Sequence, residues 1–286
     1  MIYRIDNISI IHSMLTLVTC WYNVKAKFPS ETYQTWISNF IMNVNKFNLV
    51  IFTDEKSKKD IEPYIINEGR ICLKIVTLED FYGYKYKDNW IKNHSTNNSL
   101  NGNQGWKIDW ELNMIWSEKI NFVKRASEEN YFNTEWYGWC DIGYFRGRKD
   151  IDLNPGLIPC WPNEDKIASL DKNKIYYNMI GNSDMINKVS GYITNLNEYN
   201  LPVVPIPPEQ ISISGGFFLI SKANINWWWK IYYDRLELYF KHNYLVKDDQ
   251  IIVIDSIFHN KDKFNIIHKQ DGSMDSKWFY FSFYLL

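Results

Sequence analysis

Cysteine is scarce in this 286-residue chain, with only Cys20, Cys72, Cys140 and Cys160. They are widely spaced, form no C-x-x-C pair, and sit in or beside apolar runs, where a free thiol behaves as a small buried hydrophobe. A disulfide framework is therefore not expected, and a reduced, cytoplasmic setting is. An excess of one charge is also missing: 32 Lys and Arg stand against 33 Asp and Glu, for a net charge of -1. Without a dense basic cluster there is no electrostatic footprint for nucleic acid or an anionic membrane surface. Without clustered carboxylates beside a basic groove, a nuclease is disfavoured too. No apolar run is long enough to span a bilayer. Ile8 to Tyr22 comes nearest, but His12, Ser13 and Thr16 interrupt it, and it lacks the basic start and small-residue cleavage site of a signal peptide. A soluble protein without a transmembrane segment is expected. Homo-oligomerisation is left open.

What is present is ordinary globular composition, 45% hydrophobic and 23% charged, with an unusually high 17% of aromatic residues whose flat faces suit sugars and bases. Leu15–Tyr22 reads as a first core strand, followed by a helix from Ser30 with Trp36, Ile37, Phe40, Ile41 and Val44 on one face. Asn48–Asp54 and Ile71–Leu78 read as further strands, with a helix over residues 60–69 between them. Near-continuous apolar runs of this kind fit strands covered on both faces, and their alternation with helices predicts a mostly parallel sheet. Gly83–Gly105 is polar and reads as a long loop; a helix carrying Ile108, Leu112, Ile115, Trp116, Phe122, Val123 and Ala126 follows. A strand at Trp136–Gly143, the Pro-rich connector Leu201–Pro208 and a strand at Ile211–Ile220 come next. Helices over Ile225–Asn243 and Asp248–Phe258, then strands at Phe264–His268 and Phe279–Phe283, complete the chain. The matches to the glycosylation pattern at Asn7, Asn93 and Asn97 are expected by chance in so Asn-rich a sequence.

Several positions carry potential chemistry. Trp136-Tyr-Gly-Trp-Cys-Asp-Ile-Gly-Tyr-Phe-Arg146 is a strand that ends in a carboxylate, Asp141, with Gly143 two positions on. Ligands of open α/β sheets bind beyond the carboxyl ends of the strands, so Asp141 is a site candidate; the competing reading is an Asp that starts a turn. Gly215 and Gly216 interrupt a strand, either as a bulge or where a ligand approaches the backbone. Asp248-Asp249-Gln250 is either a helix N-terminus or a site for an acid or base. His268 ends a strand, where an imidazole either ligates a metal or meets solvent. Of Trp227-Trp228-Trp229, at least one is expected in the core.

The order of these motifs resembles the GT-A-type glycosyltransferases and, within that class, the HtrL/YibB-like family. The matching elements are the Thr-Leu-Val-Thr19 strand, Leu49-Val-Ile-Phe-Thr-Asp54, Phe122-Val-Lys-Arg125, Trp139-Cys-Asp-Ile-Gly143, Ile213-Ser-Gly-Gly-Phe-Phe218 and Asp248-Asp-Gln250. The resemblance implies an α/β fold with a GT-A-like, Rossmann-type mixed sheet, mostly parallel and flanked by helices. It implies a single domain with a nucleotide-binding half over residues 15–145 and an acceptor-side half over 146–286. The implied function is transfer of a sugar from a nucleotide-diphosphate donor, a UDP-sugar first, to a glycan, protein or lipid acceptor. A non-catalytic nucleotide- or carbohydrate-binding protein is the alternative. By this resemblance Asp141 and His268 hold Mn2+ or Mg2+, although glycine at 143 replaces the second carboxylate of the usual Asp-x-Asp. Thr19, Trp21, Tyr22, Asp54, Lys277 and Trp278 border the donor, and Gly215, Gly216 and Gln250 line the sugar and acceptor pocket. Asp249 or Asp248 is the catalytic base.

Overall fold

The computed structural model describes residues 13–101 and 108–286. The first half runs β1 (Leu15–Trp21), α1 (Ser30–Ile41), β2 (Asn48–Thr53), α2 (Glu55–Lys58), β3 (Ile71–Ile75), α3 (Lys87–Thr96), α4 (Asn98–Asn101) and α5 (Trp110–Glu129). Next come β4 (Trp136–Cys140), α6 (Glu164–Ala168), β5 (Ile175–Met179), α7 (Ser183–Thr194) and β6 (Ile213–Ser221). The chain continues with α8 (Ile225–Lys241), α9 (Asp249–His259), β7 (Phe264–His268), α10 (Met274–Trp278) and α11 (Tyr280–Tyr284). Among the described residues the strands form one seven-stranded sheet in the order β3-β2-β1-β4-β6-β5-β7. Pairing is parallel except at β6, which runs antiparallel to both β4 and β5. The fold is therefore α/β with a mostly parallel sheet flanked by helices.

The pleat explains the layers. Successive side chains of a strand point to opposite faces, so Val18 joins Phe52, Phe122, Trp139 and Trp228 on one side of the sheet. Leu17 joins Leu49, Trp136, Phe217 and Phe281 on the other. Both faces are covered, which is why β1, β2, β4 and β6 are buried along their whole length. The central strands and the helices α1, α5, α8 and α9 lie where the apolar pattern places them.

Three expectations do not hold. Residues 60–69 contain one 3-10 turn, Glu62–Tyr64, because the chain is extended again at Ile65 and Ile66 faces solvent, leaving no apolar stripe. The expected loop from Gly83 is instead the helices α3 and α4 as far as residue 101, residues 102–107 lying outside the described part. Helix α3 buries only Trp90 and Asn93, too little to register as periodicity. Those two suffice to anchor it: Trp90 packs edge-on against Phe240 at 4.7 Å. The Asn93 amide exchanges two 2.8 Å hydrogen bonds with the backbone of Val246, as a strand partner would. Phe279–Phe283 is the end of one helical turn and the body of α11, where burial of Phe279, Phe281 and Leu285 overrides the β preference of aromatic residues. Helix α7 was not legible as a helix.

Asn93 and Asn97 are buried, which removes them as glycosylation acceptors; Asn7 lies outside the described residues. Trp228 is the core member of its triplet and donates to the Tyr177 hydroxyl at 3.2 Å. Cys20, Cys72, Cys140 and Cys160 are all free thiols. No helix of the described residues is long and apolar enough to cross a membrane.

Candidate functional site

From β1 the chain moves outward to β2 and β3, then returns to place β4 on the opposite side of β1. The loops leaving the carboxyl ends of β1 and β4 consequently part in opposite directions and open a crevice, the general ligand position of such sheets. A cavity lies there. Its walls include Trp21 at the end of β1, Lys27, Tyr33 and Trp36 beyond it, Asp141 and Arg146 after β4, and Trp116 and Lys119 of α5. Gly215 of β6, Asp248, Asp249 and Gln250 at the start of α9, and Trp278 of α10 close it.

Lys119 organises the centre of the crevice. Its ammonium lies 3.2 Å from Asp141 Oδ1 and 3.2 Å from Asp249 Oδ2, and it donates to the Gly215 carbonyl at 2.8 Å. An ammonium has three donors, and all three have partners. Trp139 Nε1 adds a 2.6 Å hydrogen bond to the same Asp141 oxygen. Burial alone favours the neutral amine, but the two carboxylates outweigh it and hold the Lys119 pKa above the usual lysine value, so the group stays charged. Burial pushes the Asp249 carboxyl up to about 7, helped by Asp248 and Asp141 and opposed by Lys119.

The glycines make this contact possible. A Cβ on Gly215 would stand 3.1 Å from Asp249 Oδ2, and one on Gly216 would stand 3.0 Å from Trp278 Nε1. Here the register of β6 against β5 shifts between Tyr177 and Met179, so the glycine pair is a bulge and a place of close approach at once. Helix α9, which carries Asp248, Asp249 and Gln250, is fixed from behind by Arg235 of α8. Its guanidinium grips the buried Asp255 through two hydrogen bonds, at 2.8 Å and 3.0 Å. Asp248 pairs with Lys247 at 3.1 Å through one oxygen. Its other oxygen, and Gln250 Oε1, are buried without a hydrogen-bond partner. Buried polar atoms are almost always satisfied, so two orphan acceptors on one cavity wall point to a ligand that donates.

The rest of the wall is aromatic and cationic. Trp21 packs on Tyr33 at 5.0 Å and Tyr33 on Trp36 at 5.3 Å. The Arg146 guanidinium stacks over Trp36, 4.2 Å from the ring centre, and its Nε donates to the Gly143 carbonyl. The Lys27 ammonium lies 4.6 Å from the ring centre of Trp116. Burial pulls the Lys27 pKa down to about 8 and lowers that of Arg146.

Of the residues singled out from sequence, Asp141, Asp248, Asp249, Gln250, Gly215, Trp21, Tyr22 and Trp278 line this cavity, with Gly216 against Trp278 and Asp141. Thr19, Asp54, His268 and Lys277 do not line it. Thr19 is enclosed within β1. Asp54 caps α2 by accepting from the Ser57 amide at 2.7 Å. His268 is exposed on β7, an outer strand that β6 and β5 separate from β4. Lys277 contributes its carbonyl to the Asn178 amide. Lys119, Lys27 and Arg146 were not read as site residues. The usable signal for Lys119 was a lysine four positions after Ile115 on an otherwise apolar helix face.

The pair expected to hold a divalent cation of the Mg2+ or Mn2+ kind, Asp141 with His268, is not assembled, and such an ion needs several hard oxygen ligands. One oxygen of Asp141 and one of Asp249 are committed to the same ammonium, and His268 stands elsewhere. Among the described residues no three His, Cys, Asp or Glu side chains are grouped to hold a metal ion. Compared with known proteins, the chain matches no family model and no curated sequence.

Proposed function

We propose that this protein is a glycosyltransferase that moves a sugar from a nucleotide-diphosphate donor, a UDP-sugar first, to a hydroxyl of a glycan, protein or lipid acceptor. The observation that carries the reading is the crevice between β1 and β4, where an aromatic wall, cations and buried carboxylates with unpartnered acceptors converge. A base and a sugar fit stacked aromatic rings, sugar hydroxyls fit orphan acceptors, and a diphosphate fits Arg146 and Lys27. In the transfer, the acceptor oxygen bonds to the anomeric carbon and its proton passes to Asp249. The bond from that carbon to the diphosphate breaks, and the electron pair leaves with the phosphate oxygen. Asp249 suits the proton-accepting role because its pKa of about 7 lies near working pH. Lys27 and Arg146 would stabilise the charge that builds on the leaving group.

A non-catalytic nucleotide- or carbohydrate-binding protein is the second reading. The contact between Lys119 and Asp249 favours it, because an ion-paired carboxylate is a weaker base. Melting curves with UDP-, GDP- and CDP-sugars, followed by assay of released nucleoside diphosphate, separate the readings. The expected result is a raised melting temperature with one donor class together with slow release of its nucleotide. Stabilisation without any release, even with acceptor mixtures, supports the binding protein. No stabilisation by any donor overturns the transferase and the nucleotide-binding readings.

A further inference from the structure

A nucleotide diphosphate brings several negative charges into a site that must compensate them. Among the described residues three side-chain cations line this crevice, Lys27, Lys119 and Arg146. Lys119 is already spent internally: its three donors go to Asp141, Asp249 and Gly215. Arg146 is different. Among the described residues only its Nε donates, to the Gly143 carbonyl, and it forms no ion pair. Its guanidinium rests on Trp36 and 5.2 Å from the centre of Phe279, which fixes the plane of the fork. Lys27 sits over Trp116 in the loop that leaves β1, and Arg146 in the turn that leaves β4. The two cations thus stand on the two loops that part at the switch point.

Resting on the nucleotide-sugar reading, we propose that this site neutralises the donor diphosphate with Lys27 and Arg146 and without a divalent cation, the Lys119 ammonium occupying one oxygen each of Asp141 and Asp249. A guanidinium fork matches two phosphate oxygens at once, and a lysine ammonium adds a point charge. Burial already disfavours both cations in the empty crevice, so an arriving anion relieves a cost built into the fold. Asp141 then serves to hold Lys119 and the Trp139 ring in place, as a positioning residue.

Calorimetric titration of UDP, GDP, CDP and uridine into the full chain, first in EDTA and then in Mn2+, tests this. One nucleoside diphosphate should bind with the same Kd in both. Lys27→Ala and Arg146→Ala should each weaken it by about tenfold, the loss of a charged hydrogen bond, and leave uridine binding unchanged. Binding seen only with Mn2+ would overturn the inference and leave the transferase reading standing. So would diphosphate affinity that survives both substitutions in variants with native melting temperatures. If either variant does not fold, the comparison of EDTA with Mn2+ on the natural chain still decides. No binding of any nucleoside diphosphate under either condition would remove the nucleotide reading and the inference together.

Discussion

Lys119 and Asp249 meet at 3.2 Å with their side chains only 7% and 8% exposed, which places an ion pair inside the protein at the base of the crevice between β1 and β4. Breaking such a pair from one side leaves an uncompensated buried charge, which costs far more than the pair itself contributes. Lys119→Met should therefore destabilise the fold by about 3 kcal/mol, the lower end of the usual range because Asp249 can relieve itself by taking up a proton. Urea denaturation of the single variants and of Lys119→Met with Asp249→Asn checks this. The double variant should recover part of the loss, since Asp141 and the Gly215 carbonyl still lack their donor. Additive losses would mean that the two groups do not interact.

The glycine bulge carries a second prediction. Gly215→Ala places a methyl 3.1 Å from Asp249 Oδ2 and 3.2 Å from Gln250 Cγ, tight enough to shift α9 by a few tenths of an ångström. Overpacking of this size costs about 1 kcal/mol or more. Transfer or donor hydrolysis should fall much further than the melting temperature, with nucleoside diphosphate affinity nearly intact. Parallel losses of nucleotide affinity and stability would assign the bulge to folding alone.

Much of this arrangement was legible in the chain. β1, β2, β4 and β6 are apolar runs buried on both faces, and Asp141 and Asp249 follow from being the carboxylates at a strand end and a helix start. The helices that escaped are those held by few contacts or by tertiary burial: α3 hangs on Trp90 and Asn93, and α11 on aromatic residues that prefer strands. The cations escaped for a different reason. A lysine on an apolar helix face is informative only once its partners are known, and Asp141, Gly215 and Asp249 come from three separate elements. Asp54 and His268 sit at strand ends as expected, but end position alone does not decide whether a side chain faces the crevice, a helix cap or solvent.

Stability should depend on pH in the neutral range. Asp249 and Glu118 are both pushed up to about 7 by burial, Glu118 against hydrogen bonds from the Tyr82 and Gly83 amides. A carboxyl whose folded pKa lies above its unfolded value binds protons more readily in the native state, so stability falls as pH rises from about 4 to about 7. Asp249→Asn should flatten part of that slope in urea titrations at fixed pH steps. The same substitution should abolish transfer while sparing UDP affinity, and natural-chain activity should climb through a pH near 7 as Asp249 loses its proton. Turnover that persists in Asp249→Asn would remove it as the base.

Diphosphate affinity should carry its own pH signature through Lys27. Burial lowers its pKa to about 8; the neighbouring Asp248 and Asp141 raise it, and Lys247 and Lys119 lower it further. Near pH 8 about half of the Lys27 side chains are neutral, by the definition of a pKa. An anion bound beside Lys27 favours the charged form, so binding must draw a proton from solvent and affinity must decline as pH rises above 8. Calorimetry of UDP at pH 8 in two buffers of different ionisation enthalpy should therefore report net proton uptake, which Lys27→Arg should abolish because guanidinium stays protonated. Arg146 remains charged throughout and adds no proton of its own. Proton uptake that persists in Lys27→Arg would place the titrating group elsewhere, and a complete absence of uptake in the natural chain would separate Lys27 from the phosphates.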